Sequence, residues 1–356
     1  MTALDDPASL DADRSGMFGH IRALGHEIVR AWRNNESLSL PALPPSLDSV
    51  VVAGMGGSAT AGDYFATLCS ATAPIPVVVV RGGALPAFAS DRTLVVVSSY
   101  SGETSESLAC YDEARAQGAP VIAITAGGTL KARAAADGVP VVAIDYVSPP
   151  RAAIAHTIAP LLRLGAMLEL CPADDIAVDD AANECESFIC GKLAPAISSA
   201  ENPAKLTAQA LWRRVPLVLG GEHLAPVTTR FKNQLAENGK TLAIAETLPE
   251  AAHNIVVGLQ TADDDASRIG VVGDGRDAGV IRTTRGTSPE HAGAWDFKAC
   301  TNAHRDRPWR LCLVLPGAAS WHRPHANPRN RTHAGSLRRS VSGTNLNAPD
   351  RRATPL

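Results

Sequence analysis

Several features that would indicate a membrane, secreted or metal-binding protein are missing from this sequence. No run reaches the roughly 18 uninterrupted apolar residues that a membrane-spanning helix needs. The polar, acidic first 16 residues do not resemble a signal peptide. The seven cysteines form no CxxC pair and no metal-binding spacing with histidine. These absences favour a cytoplasmic protein with reduced cysteines and no metal site.

The sequence does contain enough apolar residues for a large core, and its charge is unevenly distributed. Of the 356 residues, 45% are hydrophobic and 19% are charged, which excludes wholesale disorder and favours two domains. Residues 276–356 hold 14 lysines and arginines against 5 aspartates and glutamates, whereas residues 1–275 carry a net charge of −12. The chain therefore divides into an acidic globular part and a basic C-terminal tail.

Short apolar runs alternate with helix-like stretches along the chain, which predicts parallel sheets covered on both faces by helices. An amphipathic helix is predicted over 14–34, before the first run. The predicted strands are Ser49–Ala53, Pro76–Val80, Thr93–Ser98, Val121–Thr125, Val141–Asp145, Val215–Leu219, Thr241–Ala245, Ile255–Leu259 and Ile269–Val272. The other predicted helices are 59–70, 104–117, 128–137, 151–171, 177–200 and 224–238.

A glycine turn, Gly54–Ala59, joins the first predicted strand to a helix. Its glycines allow positive φ and close backbone approach, and the helix start offers free N–H groups to an anion. Three interpretations stay open: a phosphate site, a tight turn without a ligand, and a dinucleotide site, because G-x-G-x-x-A resembles that fingerprint. Arg81 directly follows the second predicted strand, where it would suit the 2′-phosphate of NADP.

A serine turn follows the third predicted strand and favours the phosphate interpretation. Ser99, Ser101 and Thr104 place three hydroxyl groups within six residues beside a helix N-terminus, with Gly102 among them. Hydroxyl and backbone N–H groups bind a phosphomonoester without a metal. Any one of these residues alone would more often be a simple N-cap. Both turns lie at the carboxyl ends of strands, where open α/β sheets bind ligands.

The two turns resemble the sugar isomerase (SIS) domain, and three further motifs resemble the bifunctional phosphoglucose/phosphomannose isomerase family. The resemblance implies an α/β fold of two flavodoxin-like, three-layer SIS subdomains with parallel sheets, at 14–150 and 201–275. A helical connection at 151–200 would join them, and the tail at 276–356 would be irregular. The family acts as a homodimer with its active site at the subunit interface. The three motifs are Pro149–Ala153, Lys232–Lys240 and Pro249–Asn254.

The resemblance also implies a reaction and a set of site residues. The family interconverts glucose 6-phosphate or mannose 6-phosphate with fructose 6-phosphate through an enediol, without metal or redox cofactor. Glu237 would be the base that moves the proton, His253 from the other subunit would open the sugar ring, and Arg151 would stabilise the enediolate. Without the motifs, each would be read as an ordinary side chain. The phosphate and the sugar would be held by Gly56, Gly57, Ser58, Ser99, Ser101 and Thr104.

Two features depart from the family pattern. Glu103 stands in the serine turn where the family commonly has Asn, and a carboxylate beside a phosphate is repulsive unless it points away. Residues 276–356 lack the family's C-terminal segment with its active-site lysine, and residues 282–356 contain no Ile. We expect this tail to lower activity. A frameshift near residues 276–300 and a lineage-specific extension both account for its composition.

Other functions stay open from the sequence alone. A non-catalytic SIS-domain regulator would bind a phosphosugar through both turns but would not need Glu237 and His253 together. An NADP-dependent oxidoreductase would use the glycine turn and Arg81 instead. The basic tail suits nucleic acid by charge, but it has no aromatic or repeat pattern. We therefore predict a phosphosugar ligand and neither a nucleic-acid nor a membrane partner.

Overall fold

Nine strands and nine α-helices form the described part of this computed structural model, which covers residues 3–255, 269–273 and 282–283. The strands are β1 (Ser49–Gly54), β2 (Val77–Val80), β3 (Thr93–Ser98), β4 (Val121–Thr125), β5 (Val141–Ala143), β6 (Val215–Gly221), β7 (Ile244–Leu248), β8 (Ile269–Gly273) and β9 (Arg282–Thr283). The helices are α1 (Met17–Arg22), α2 (Leu24–Asn34), α3 (Gly56–Cys69), α4 (Ser105–Ala116), α5 (Gly128–Ala136), α6 (Ile154–Met167), α7 (Asp175–Phe188), α8 (Pro203–Leu211) and α9 (Ala225–Glu237).

The first sheet has five parallel strands in the order β2-β1-β3-β4-β5. This is the flavodoxin-like order, whose switch point lies between β1 and β3. Successive residues of a strand face opposite sides, so Val50 packs in a core with α2, α3 and α6, whereas Val51 packs in a core with α4 and α5. The sheet is therefore covered by hydrophobic cores on both faces, which explains the unbroken apolar runs. The predicted three-layer α/β architecture is confirmed for this sheet.

The second sheet is smaller and has the order β7-β6-β8-β9. Strands β7 and β8 pair with β6 in parallel, which repeats the arrangement at the centre of the first sheet. Strand β9 pairs with β8 in the antiparallel direction. This two-residue strand falls in the segment predicted to be irregular, and the rest of that segment lies outside the described residues. Helix α9 packs on β6 and β7 and also contacts α3, which connects the two sheets.

Several predicted elements differ from those observed. The helix predicted over 177–200 ends as α7 at Phe188, followed by a π-helical turn over Ile189–Leu193. Ala194 precedes a proline, and such residues avoid the helical region. Helix α8 was missed although Asn202 caps its N-terminus and Pro203 opens it, which is a recognised start signal.

Three further differences concern a break in a predicted helix, the start of a strand and the strand predicted from Ile255. The helix predicted over 14–34 is divided into α1 and α2 at Ala23. Strand β7 begins at Ile244 and not at the predicted Thr241. Its start was misplaced because an edge strand is half exposed and its polar residues interrupt the apolar pattern. The strand predicted at Ile255–Leu259 lies mostly outside the described residues; Ile255, its first residue, is not in a strand.

Two expectations about the environment of the protein can be compared with the described residues. None of the helices described here is long and apolar enough to cross a membrane. Within the same residues, no three His, Cys, Asp or Glu side chains are grouped in a way that suits a metal ion. Four of the five cysteines described are buried, and Cys190 is exposed.

A buried ionisable pair joins α2 to α6. The carboxylate of Glu27 lies 2.8 Å from Nε2 of His156 and accepts a hydrogen bond of 3.1 Å from Arg30. Burial would raise the pKa of Glu27, but the hydrogen bonds from His156 and His26 and the charge of Arg30 outweigh it, so this pKa is lowered. Burial lowers the pKa of His156, and its hydrogen bond to Glu27 offsets this in part.

This pair predicts that the protein loses stability as the pH falls. A histidine whose pKa is depressed by folding takes up its proton first in the unfolded state, so we expect stability to fall as the pH decreases below about 6.5. Glu27 adds a further loss below about pH 4.5, as its carboxylate is protonated in turn. Replacing His156→Gln keeps a donor for Glu27 and removes the first titration.

Urea unfolding at pH 7, 6 and 5 checks this prediction. The slope of the free energy of unfolding against pH should flatten over this range in His156→Gln. The exposed His26 is the matched control, and His26→Gln should retain most of the slope. An unchanged slope in His156→Gln would contradict the assignment of the acid sensitivity to His156.

Candidate active site

The glycine turn brings the start of α3 close to two other segments. Gly56 has a φ of +52°, in the left-handed region that favours glycine. A Cβ atom on Gly54 would lie 2.9 Å from the carbonyl oxygen of Ser98, and one on Gly57 would lie 3.8 Å from Cα of Arg151. These glycines therefore allow the turn to lie against both the end of β3 and the backbone at Arg151. Ser58 is buried in the first turn of α3.

The serine turn is held by its own hydroxyl groups. Oγ of Ser99 accepts a 3.1 Å hydrogen bond from the N–H of Gly102 and lies 2.9 Å from Oγ1 of Thr104. The exposed Ser101 accepts a 3.2 Å bond from the N–H of Glu103.

Thr104 is the N-cap of α4 but makes no side-chain capping bond. The first turn of α4 also holds the carboxylate of Glu106, which accepts hydrogen bonds from its own backbone N–H and from the Ser105 hydroxyl. An anion bound at this helix start would use the N–H groups that this carboxylate leaves free.

Glu103, the departure from the family pattern, makes its hydrogen bonds at α5. Its carboxylate accepts bonds of 2.7 Å and 2.8 Å from the N–H and the hydroxyl of Thr129, in the first turn of that helix. A negative charge is favourable at a helix N-terminus. The two turns interlock here, since a Cβ on Gly102 would lie 1.9 Å from the carbonyl oxygen of Gly127, and one on Gly128 would lie 2.3 Å from that of Ser101.

Arg81 makes an ion pair within the protein. Its guanidinium contacts the carboxylate of Asp63 on α3. Burial raises the pKa of Asp63, and the hydrogen bond and charge of Arg81 act in the opposite direction. A 2′-phosphate placed here would face the carboxylate of Asp63 as well as the guanidinium. This geometry disfavours an NADP site.

Two of the three predicted catalytic residues lie together. Arg151 is in a 3₁₀ turn, Pro150–Ala152, and Glu237 is the last residue of α9. Nη1 of Arg151 lies 3.7 Å from Oε2 of Glu237, and its Nε donates a 2.5 Å hydrogen bond to Asn238. The side chain of Glu237 is 48% exposed and that of Arg151 is 22% exposed. A carboxylate and a guanidinium thus stand together beside the glycine turn, both reachable from solvent.

Arg230 is a residue of this region that the sequence analysis missed. It lies on α9 two turns before Glu237, is buried, and donates a 3.3 Å hydrogen bond to the carbonyl oxygen of Arg151. Its Nε has no partner among the described residues. Burial lowers the pKa of this guanidinium, whereas the charges of Tyr64 and Glu237 raise it. The seven-residue spacing from Glu237 was the available signal, because such residues share one face of a helix.

His253 is not brought to Glu237 within one chain. It is exposed at the end of a 3₁₀ turn, Glu250–His253, just after β7. Helix α9 runs from the end of β6 back to the start of β7, so Glu237 lies at the amino edge of the second sheet and His253 at its carboxyl edge. The 13 residues of α9 separate these edges by about 20 Å.

Comparisons with protein families define the class of this protein. The model of the SIS domain matches residues 46–148, and that of the bacterial phospho-glucose isomerase C-terminal SIS domain matches residues 200–283. This is therefore a protein with two SIS-type α/β domains. The second match extends to residue 283, beyond residue 275, where the second subdomain was predicted to end. It includes β9.

Relatives identify the family. The chain is 35% identical over 246 residues to the bifunctional phosphoglucose/phosphomannose isomerase of Caldicellulosiruptor bescii, covering 69% of this chain and 72% of that one. It is 30% identical to the enzyme of the same description from Thermoplasma volcanium, with coverages of 60% and 64%. The chain belongs to the bifunctional phosphoglucose/phosphomannose isomerase family. The predicted family, and with it the isomerase class, is confirmed.

Solved structures agree on the fold alone. Tagatose-6-phosphate ketose/aldose isomerase from Escherichia coli has a TM-score of 0.52 at 17% identity, covering 72% of this chain and 71% of that one. The C-terminal domain of glucosamine-fructose-6-phosphate aminotransferase from Francisella tularensis has a TM-score of 0.53 at 15% identity, with coverages of 75% and 77%.

Proposed function

We propose that this chain interconverts glucose 6-phosphate or mannose 6-phosphate with fructose 6-phosphate. The observation that carries the proposal is the meeting of Arg151 and Glu237, 3.7 Å apart, beside two turns suited to a phosphate. These residues come from distant parts of the sequence, and a phosphosugar regulator would have no need of a carboxylate here. Membership of the isomerase family supports the same reaction.

The phosphate would bind at the carboxyl edge of the first sheet. Hydroxyl groups of Ser99, Ser101 and Thr104 surround the start of α4, and Ser58 lies in the first turn of α3. Two helix N-termini then face one anion, and both contribute favourable partial charge. Gly56 and Gly57 leave room for the sugar to approach the backbone of the turn.

The proton would be moved by Glu237. Its carboxylate takes the proton from C2 of the open-chain aldose, the electrons of the C–H bond form the C1–C2 double bond, and the carbonyl oxygen becomes an enediolate oxygen. A proton then moves from O2 to O1, and return of the carbon-bound proton from Glu237 to C1 forms the C2 carbonyl of the ketose. The guanidinium of Arg151 stabilises the enediolate charge, and its hydrogen bond to Asn238 and the hydrogen bond from Arg230 to its backbone keep it in place.

The ring-opening group would come from a second chain. A homodimer that places His253 of the partner subunit beside Glu237 would overcome the separation of these two residues within one chain. Each chain of this dimer would consist of two SIS subdomains, at 14–150 and 201–275, joined by the helical connection at 151–200. The enzyme would act in the cytoplasm. The tail at 276–356, apart from β9, lies outside the described residues, so its effect on activity stays a prediction.

Binding of a phosphosugar, but not of NADP, should raise the melting temperature. At about 100 times its Kd, fructose 6-phosphate is expected to raise it by about 5 °C, because the ligand binds the folded state alone. The measurement is a thermal shift assay with each ligand, and Ser99→Ala combined with Thr104→Val should lose the response. A response to NADP alone would contradict the isomerase proposal.

A further inference from the structure

Tyr100 lies between two residues of the phosphate-binding turn, but the proposed mechanism gives it no role. It stands between Ser99 and Ser101, and its ring packs against the larger core of the first sheet. Its hydroxyl donates a 2.7 Å hydrogen bond to the carbonyl oxygen of Tyr146 and accepts a 3.1 Å bond from the N–H of Ser148. Both partners are backbone atoms of one segment, so the phenol fixes the path of that chain.

That segment, which we call the linker (residues 145–148), runs from the end of the first sheet toward Arg151. Arg151 follows the linker after two prolines, Pro149 and Pro150. Prolines fix φ and leave the backbone little freedom. The position of the linker therefore determines the position of the Arg151 backbone, which in turn contacts the glycine turn at Gly57.

The other side of the linker is held by α1, α2 and α6. The hydroxyl of Tyr146 lies 2.7 Å from Nδ1 of His20, and its ring stacks on His156 with centroids 4.7 Å apart. Arg30 donates a 2.8 Å hydrogen bond to the carbonyl oxygen of Asp145. The linker is thus fixed against the helical layer, and Tyr100 connects this fixed segment to the serine turn.

We infer that Tyr100 is a positioning residue that sets the distance between the phosphate-binding turn and Arg151. A hexose 6-phosphate carries its phosphate at C6 and reacts at C1 and C2, so its two ends must be held at one fixed spacing. Small errors in such a spacing reduce the rate strongly. The inference rests on the proposed function, because it assigns the two ends to the serine turn and to Arg151.

A double-mutant cycle tests the coupling. We expect Tyr100→Phe to lower the rate of isomerisation at saturating glucose 6-phosphate about tenfold and to change the affinity for inorganic phosphate, which uses the turn alone, by less than about twofold. In an Arg151→Gln background, Tyr100→Phe should lower the same rate by less than about twofold, because the arginine through which Tyr100 acts has been removed. Tyr111→Phe, which removes a 2.7 Å hydrogen bond to Asp137 in the other core, is the matched control and should change neither the rate nor phosphate binding.

Amide hydrogen exchange supplies a second measurement that needs no ligand. Tyr100→Phe should speed exchange at Ser148 and at residues 151–152 at least about tenfold and leave the serine turn unchanged. The inference would be overturned if Tyr100→Phe had the same effect in the wild-type and Arg151→Gln proteins. Unchanged amide hydrogen exchange in the linker would overturn it as well. If the wild type does not bind fructose 6-phosphate but exchange responds as expected, the proposed function fails and the coupling stands.

Discussion

Glu237→Gln is expected to lower the exchange of the C2 proton of glucose 6-phosphate in heavy water by about 10³-fold. The amide has nearly the shape of the carboxylate but cannot accept the proton, and general base catalysis contributes about 10²–10⁴-fold. Binding should stay within about twofold, because the phosphate turns are untouched. The loss therefore appears in the chemical step and not in affinity.

The exchange measurement by NMR is paired with calorimetry on the same samples. Glu201→Gln, an exposed carboxylate in the turn before α8, is the matched control and should exchange at the wild-type rate. Wild-type exchange in Glu237→Gln would show that another group is the base. A wild-type chain that binds the phosphosugar but exchanges no proton would favour the non-catalytic regulator.

Mixing two inactive variants should restore activity. His253→Ala and Glu237→Gln are each expected to lose isomerisation, because each removes one half of every site. In a mixed dimer, one of the two sites receives an intact Glu237 from one chain and an intact His253 from the other. Random reassembly of equal amounts makes about half of the dimers mixed, so activity should recover to about a quarter of that of the wild type.

The recovered activity is measured after the two variants are denatured together and refolded, with each variant refolded alone for comparison. Glu237→Gln mixed with Arg151→Gln is the matched control. Both of these residues belong to one side of the site, so that mixture should stay inactive. Recovery in the control would contradict the assignment of Glu237 and Arg151 to one chain. No recovery in the first mixture would show that His253 acts within its own chain or not at all.

The sequence predicted the first sheet better than the second, and burial explains the difference. Strands such as Thr93–Ser98 are buried on both faces, so their apolar runs are unbroken and easily read. Strand β7 is an edge strand with half-exposed polar residues, and its start was misplaced by three residues. Helix α8 has a single buried residue, Leu211, so no apolar stripe marked it.

Sequence motifs predicted which residues belong to the candidate site. The distances between these residues were not predictable, because they depend on tertiary contacts. The motifs indicated Glu237 and Arg151, but their 3.7 Å approach depends on α9 packing against α3. The seven-residue spacing from Glu237 could have placed Arg230 on the same face of α9, but not its burial, because arginine is rarely buried. The two hydrogen bonds that the Glu103 carboxylate accepts at the start of α5 were not predictable either, because they depend on the close contact between the two turns.

The glycines of the candidate site differ in whether they can be replaced by a residue with a side chain. No side chain fits at Gly102 or Gly128, where even a methyl group would overlap a backbone carbonyl. Around Gly56, by contrast, a Cβ atom would meet nothing within 4 Å, and asparagine tolerates its left-handed backbone. If the turns bind as proposed, changes at the glycine turn can alter the specificity for the sugar, while the serine turn has a backbone shape that excludes such changes.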